Sequence, residues 1–262
     1  MSAVARLLRY ELRNVARSRW VVVYALLFAL LTDALFRFGG GGSRVILSLT
    51  NVVLALIPLV SIVFGTMYLY NAREFIELML AQPVSRRSLF AGLYWGLALP
   101  LAAAFGLGVG VPFALHGGIA GQAGGFLMLL GSGVMLTLVF TALAMLVALR
   151  FQDRAMGLGA AILLWLFAAI LYDGLVLLLV AWFRDYPLEM PVLAATILNP
   201  VDLGRVLLLL QFDLSALLGY TGAVFERFFT GRTGTMVSLA ALTLWVTIPL
   251  AAGLRLFRRK DW

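Results

Sequence analysis

Few side chains in this 262-residue chain could take part in chemistry, and their types narrow the choices. There is no cysteine, which removes disulfides, thiolate metal ligands and a cysteine nucleophile. His116 is the single histidine, so a histidine metal cluster or proton relay is not expected, and neither is a resident cofactor. The single lysine, Lys260, lies in Arg258-Arg259-Lys260-Asp261. A phosphate-binding loop needs glycines and then a lysine opening a helix, and Lys260 has neither. If ATP drives the protein, a separate subunit must hydrolyse it; no catalytic residue and no enzymatic activity are expected here. One acid is out of place. Asp173 sits inside an apolar stretch, and an ionisable residue in such a stretch is a functional candidate by default. Arg37, Arg44 and Arg205 are its candidate partners. It either ties a loop to the bundle by a salt bridge or lines a substrate path.

The elements that hold these residues are membrane helices. Apolar residues make up 63% of the chain and charged residues 12%, against about a quarter charged in soluble domains. A water-soluble fold of this length has too much surface to hide so much apolar area. Six stretches are long and apolar enough to cross a bilayer, which takes about 20 residues. They run roughly over Trp20–Phe36, Val45–Tyr70, Leu89–Leu115, Gly125–Leu149, Gly157–Phe183 and Thr235–Phe257. The expected fold is an all-α integral membrane domain spanning 1–262. It comprises an amphipathic helix over 1–19, transmembrane helices one to five over 20–183, a helical outer loop over 184–234 and helix six over 235–257.

Charge orients the bundle. The segment before span one, the loops after spans two and four, and the C-terminal end from Arg255 onward carry fourteen of the basic residues. The short loops on the other face carry two, Arg37 and Arg44. The positive-inside rule makes the first face cytoplasmic and puts both termini there. The net charge of +8 then points to anionic lipid headgroups as partners, not to nucleic acid.

Three segments outside the spans stand out. In the first, Val4, Leu7, Leu8, Leu12 and Val15 share one helical face and Arg6, Arg9, Arg13 and Arg17 the other. Such a helix lies on the membrane surface. Glu11 projects into its apolar face, where a carboxylate needs a partner. In the second, Asn71 can cap a short helix over Arg73–Gln82, with Glu74 and Glu77 near its positive end and Pro83 stopping it. Ser85 can cap the third span. Phe75, Leu78 and Met79 are expected to be exposed on the short helix, where they either dip back into lipid or dock a soluble protein. In the third, Asn199-Pro200-Val201-Asp202 reads as a turn feeding a helix, followed by Arg205. Two or three interfacial or re-entrant helices are expected there, on the outer ends of the spans. Weaker signals are the Gly92/Gly96 and Gly106/Gly108/Gly110 faces and the paired Met128 and Met135, all read as packing.

Together these residues resemble ABC-2-type permeases over essentially the whole chain. The resemblance is carried by Tyr10-Glu11-Leu12, Arg19-Trp20, the loop glutamates with Gln82-Pro83-Val84-Ser85-Arg86, and the ending Leu256-Phe257-Arg258-Arg259-Lys260-Asp261-Trp262. Many such permeases have a glycine after the first loop glutamate, where this chain has Phe75. Tyr70 through Leu78, Tyr172-Asp173 and Asn199 through Arg205 are similar to the NosY-type branch, which serves copper-site maturation of nitrous-oxide reductase. The resemblance implies a homodimer of permeases, two copies of an ABC ATPase subunit and, for that branch, a periplasmic copper-handling partner. It makes the first helix a connecting helix and Arg73–Gln82 a coupling helix. The ATPase-coupling residues would be Glu11, Arg73, Glu74, Phe75, Glu77, Leu78, Met79, Gln82 and Arg86. An exporter of a lipid, peptide or drug is the alternative within the same architecture. A membrane-embedded enzyme is remote, because polar residues are sparse in the spans.

Overall fold

The computed structural model describes residues 18–119, 122–183, 188–210 and 232–260, and these form helices and turns only. The N-terminal amphipathic helix with Glu11 and the segment holding Gly219–Gly222 lie outside the described residues.

Helix α1 (Arg19–Gly39) has 21 residues, about 31 Å at the α-helical rise. It ends at Gly40, whose φ of 88° suits glycine. Helix α2 (Gly42–Asn71) carries Pro58 inside it, and the eight-residue α3 (Arg73–Leu80) follows almost at once. Helices α4 (Arg86–Leu115) and α5 (Ala123–Arg150) come next. The fifth span is composite: α6 (Arg154–Leu166), a π-helical turn (Phe167–Leu171) and α7 (Tyr172–Trp182). Then come α8 (Glu189–Ile197), α9 (Pro200–Leu210) and α10 (Arg232–Arg259). Among the described residues six helices are long and apolar enough to cross a membrane, and they coincide, within a few residues, with the six stretches read from the sequence.

Helix α5 is the hub. It packs against α2, α4, α6, α9 and α10, and its buried residues run all the way round it. A helix apolar on every side is expected at the centre of a bundle. Glycines set how close its neighbours come. A Cβ at Gly65 of α2 would lie 2.7 Å from the Ala144 Cβ. One at Gly133 would overlap the Phe105 ring and sit 2.9 Å from Ile57. Helix α1 lies along α4, where Gly108 admits the Ala25 carbonyl and Phe28. Edge-to-face contacts of Tyr24 with Phe28 and of Phe28 with Phe105, each with ring centroids 5.1 Å apart, seal that seam. At one end of it His116 Nε2 lies 2.8 Å from Asp33, which also accepts from Arg37 at 2.8 Å. The lone histidine of the sequence thus has an acidic partner on a different helix.

The α8–α9 pair corrects an expectation. It does not rest on the ends of the spans. The two helices meet at a 104° bend, and Gly204 of α9 packs on Leu54 and Leu136, each near the middle of its own helix. The Trp245 indole, midway along α10, donates to the Ile197 carbonyl at 3.1 Å. The pair therefore reaches mid-bundle, with the geometry of a re-entrant loop or a broken span. Apolar composition gave no measure of that depth.

The glycine contacts predict a contrast. Gly133→Ala is expected to destabilise by about 1–3 kcal/mol through overpacking, more than the roughly 1 kcal/mol of added helix propensity. Gly131→Ala, which meets nothing within 4 Å, is expected to be neutral or stabilising. Thermal unfolding midpoints of the two variants in the same detergent check this.

Candidate functional site

Two groups of polar contacts lie at different levels of the bundle. The first is at the end rich in arginine, where α3 sits. The 72nd residue, Ala72, precedes α3 and makes no side-chain cap; Asn71 is exposed and does not cap the helix as expected. Alanine suffices because Ala72 already belongs to the last turn of α2, its N–H donating to the Tyr68 carbonyl at 2.9 Å. The cap expected at Ser85 is present: its hydroxyl accepts from the Ser88 N–H at 3.1 Å.

The expected exposed face of α3 is also corrected. Ile76 is fully buried, and Phe75, Met79 and Leu80 pack half-buried against the core formed with Leu89, Phe90, Tyr94 and Phe257. At 100° per residue these positions share a side, and Leu78 falls opposite. Leu78 is 68% exposed, with Glu74, Glu77 and Gln82 beside it on the outward side. The helix ends at Leu80, two residues before the expected end, and a turn over 81–83 leads to Pro83.

The arginines proposed as contact residues point inward. Arg73 stacks over the Tyr70 ring, 4.5 Å from its centroid, and donates to the Phe151 carbonyl at 3.4 Å. The Tyr70 hydroxyl donates to the same carbonyl at 2.9 Å. It fits there because residue 157 is glycine; a Cβ would collide with the hydroxyl. Arg86 reaches the C-terminal end of α10 and donates to the carbonyls of Arg258 at 2.7 Å and Lys260 at 3.0 Å. Those carbonyls have no partner within the helix, and a cation suits the negative end of its dipole. Burial, and then the charge of Arg73, hold the Lys260 ammonium below its ordinary pKa. So α3 is clamped to the turn between α5 and α6 and, through the start of α4, to the end of α10.

The second group surrounds Asp173. Of its three candidate partners the structure selects Arg205, whose Nη1 lies 2.7 Å from Asp173 and 3.1 Å from Asp202. Arg37 is engaged by Asp33 instead. The π turn explains how Asp173 and its neighbours are aimed. The Tyr172 N–H bonds the Phe167 carbonyl, skipping the residue an α-helix would use. The skipped carbonyl, that of Ala168, accepts from the Asn199 amide at 2.8 Å. The Asn199 Oδ1 accepts in turn from the Val201 N–H at 3.1 Å, capping α9. The Tyr172 hydroxyl donates to the Ala195 carbonyl at 2.7 Å. Asn199, Asp202 and Arg205 thus join the fifth span and the re-entrant pair in one network. Its members are held by backbone and charge partners. Met128 and Met135 are partly buried against the apolar core. Among the described residues no group of three or more histidine, aspartate or glutamate side chains could hold a metal ion.

No protein-family model matches the chain. Two relatives align along its whole length. It is 29% identical to the probable ABC transporter permease protein NosY of Pseudomonas aeruginosa, with 99% of each chain covered. It is 26% identical to the protein of the same name from Stutzerimonas stutzeri, again over 99% of each. The chain is similar to NosY-type ABC permeases throughout. That likeness and the six long apolar helices support a multi-pass membrane permease subunit of an ABC transporter. An ATPase subunit is the partner such a permease implies.

The shared arginine predicts an ordering of variants. Arg205→Met leaves two carboxylates facing each other, whereas Asp173→Asn keeps one pair and a hydrogen-bonding amide. Arg205→Met is expected to cost about 2–4 kcal/mol and Asp173→Asn about 1 kcal/mol, below the fully buried range because both groups are part-exposed. Unfolding midpoints of the single and double variants check it; in the double variant the costs are expected to be less than additive.

Proposed function

We propose that this chain is the membrane half of an ABC transporter in which α3 docks the ATPase and passes its motion into the bundle. The observation that carries this reading is the two-sided build of α3. Its outward side offers Leu78 between Glu74 and Glu77, and its inward side is fixed by Ile76, Arg73 and the start of α4. A helix presented rigidly, with one apolar side chain left outside, suits a socket on a soluble partner. The arginine-rich end is then cytoplasmic, with both termini inside and the membrane the bacterial inner one. Two copies of the chain would assemble with two ATPase subunits, and Glu11 of the N-terminal segment would support the same junction.

The resemblance to the NosY-type branch suggests a narrower role: conformational work on a periplasmic partner in copper-site maturation of nitrous-oxide reductase. On this reading ATP binding closes the ATPase pair, α3 is displaced, and the change reaches the opposite face.

The test is assembly. Leu78→Glu is expected to weaken co-purification of the ATPase by roughly ten- to hundredfold, the worth of one buried leucine, while the permease stays monodisperse. A disulfide or bifunctional crosslink from Cys at 78 to the ATPase is expected in the intact complex. Undiminished co-purification of the Leu78→Glu variant would sink the docking role. Co-purification of a periplasmic copper-handling protein supports the narrower role; an ATPase alone favours an exporter of another substrate.

A further inference from the structure

We propose that the fifth span, Arg154–Trp182, is the element that carries a displacement of α3 to the re-entrant α8–α9 pair. The claim rests on α3 being the driven element, as argued above, and on how this span is held.

At the arginine-rich end the grip is specific. Tyr70 and Arg73 flank the junction of α2 and α3, and both donate to the Phe151 carbonyl at the entry to α6. The Tyr70 hydroxyl occupies the notch over Gly157, so its ring bears directly on the first turn of α6. Moving α3 requires either breaking these contacts or moving the start of the fifth span.

Beyond that grip the span leans on the bundle by one side. Gly157 and Ala161 are its only fully buried residues; the π turn and α7 have none. Leu164, Trp165 and Ala168 pack partly buried on the main core, and α6 lies against α2 and α5. Leu163, Leu175 and Leu177, among others, are more than half exposed. The Trp165 indole also donates to the Ala55 carbonyl at 3.0 Å, one turn before Pro58. A proline there loosens the helix that receives this bond. The span is therefore gripped at its base and packed along α6, while α7 has no fully buried residue.

At the other end three links run to the re-entrant pair. Ala168 accepts from Asn199, Tyr172 donates to Ala195 and Asp173 pairs with Arg205. All three partners belong to α8, α9 or the turn between them. A tilt of the fifth span consequently pulls on that pair. The π turn, with its skipped hydrogen bond, follows Trp165 and supplies the first link at Ala168, where a change in helix geometry costs least.

The chain has no cysteine, so label pairs can be introduced without background. The test uses the full chain in lipid nanodiscs, without nucleotide or partner, so that its failure is separable from failure of docking. One nitroxide pair at 78 and 156 reads the base, and a second at 198 and 115 reads the re-entrant turn; all four residues are well exposed. Tyr70→Phe removes one oxygen and keeps the ring, and Gly157→Ala wedges the ring out. Both are expected to alter the 78–156 distances and to raise the minor population of the 198–115 pair about fivefold, the factor carried by one lost hydrogen bond. Tyr172→Phe, Asp173→Asn and Asn199→Ala placed together on top of either, which removes all three links, are expected to abolish their effect at 198–115 and leave that at 78–156. A 198–115 distribution that stays superimposable on the parent in both base variants overturns the proposal. So does a response that survives the loss of all three links, because it would have travelled by another route. If Tyr70→Phe moves neither pair, the grip itself is refuted.

Discussion

A chain surrounded by hydrocarbon must satisfy each backbone carbonyl and N–H from within, because no water is there to do it. Five of the six spans meet that demand as continuous α-helices. The fifth span and the α8–α9 pair do not, since one contains a π turn and the other a 104° bend. Side chains close both breaks. Asn199 takes the Ala168 carbonyl and caps α9, Tyr172 takes the Ala195 carbonyl, and Trp245 takes that of Ile197. The irregular backbone at mid-bundle is thus held by a handful of polar side chains, each bridging two elements. These bridges make the fifth span and the re-entrant pair one connected unit.

The same reasoning accounts for the placement of charge. Arg205 is shared by Asp173 and Asp202 on one nitrogen, so neither acid stands alone and the arginine is paired twice. Removing the arginine does more damage than removing an acid, because like charges remain. At the arginine-rich end the charges serve helix ends instead. Arg86 donates to carbonyls at the end of α10, and Arg73 to that of Phe151. The family resemblance makes both of them ATPase-coupling residues. With their donors on backbone carbonyls, the exposed coupling residues of this loop are Glu74, Glu77, Leu78 and Gln82.

How much of this was legible depends on range. The six spans follow from hydropathy alone, so the structure reproduces them with shifts of a few residues at each end. The Ser85 cap is local and was read correctly. Asp173 could be recognised as needing a cation, and Arg205 was among three choices. What failed was either nonlocal or geometrically subtle. Nothing in Phe167–Leu171 announces a π turn, because its composition equals that of the α-helix around it. The notch at Gly157 is visible only once Tyr70, 87 positions away, is placed in it. Phe75 and Met79 were expected to be exposed because the loop was treated as projecting; Ile76 instead folds that side back against the core. The Asp33–His116 pair joins two helices and left no sequence signal beyond two polar residues in apolar surroundings.

Three elements then form a line: a short helix suited to docking, the fifth span and the α8–α9 pair. On the proposed function, ATP acts on the first and the result appears at the third. The most direct measurement is the distance distribution between nitroxides at 198 and 115 in the chain assembled with its ATPase, with and without a non-hydrolysable ATP analogue. The account predicts a nucleotide-dependent shift that Tyr172→Phe, Asp173→Asn and Asn199→Ala together suppress while nucleotide binding persists. An unchanged distribution in a complex that demonstrably binds nucleotide would contradict it.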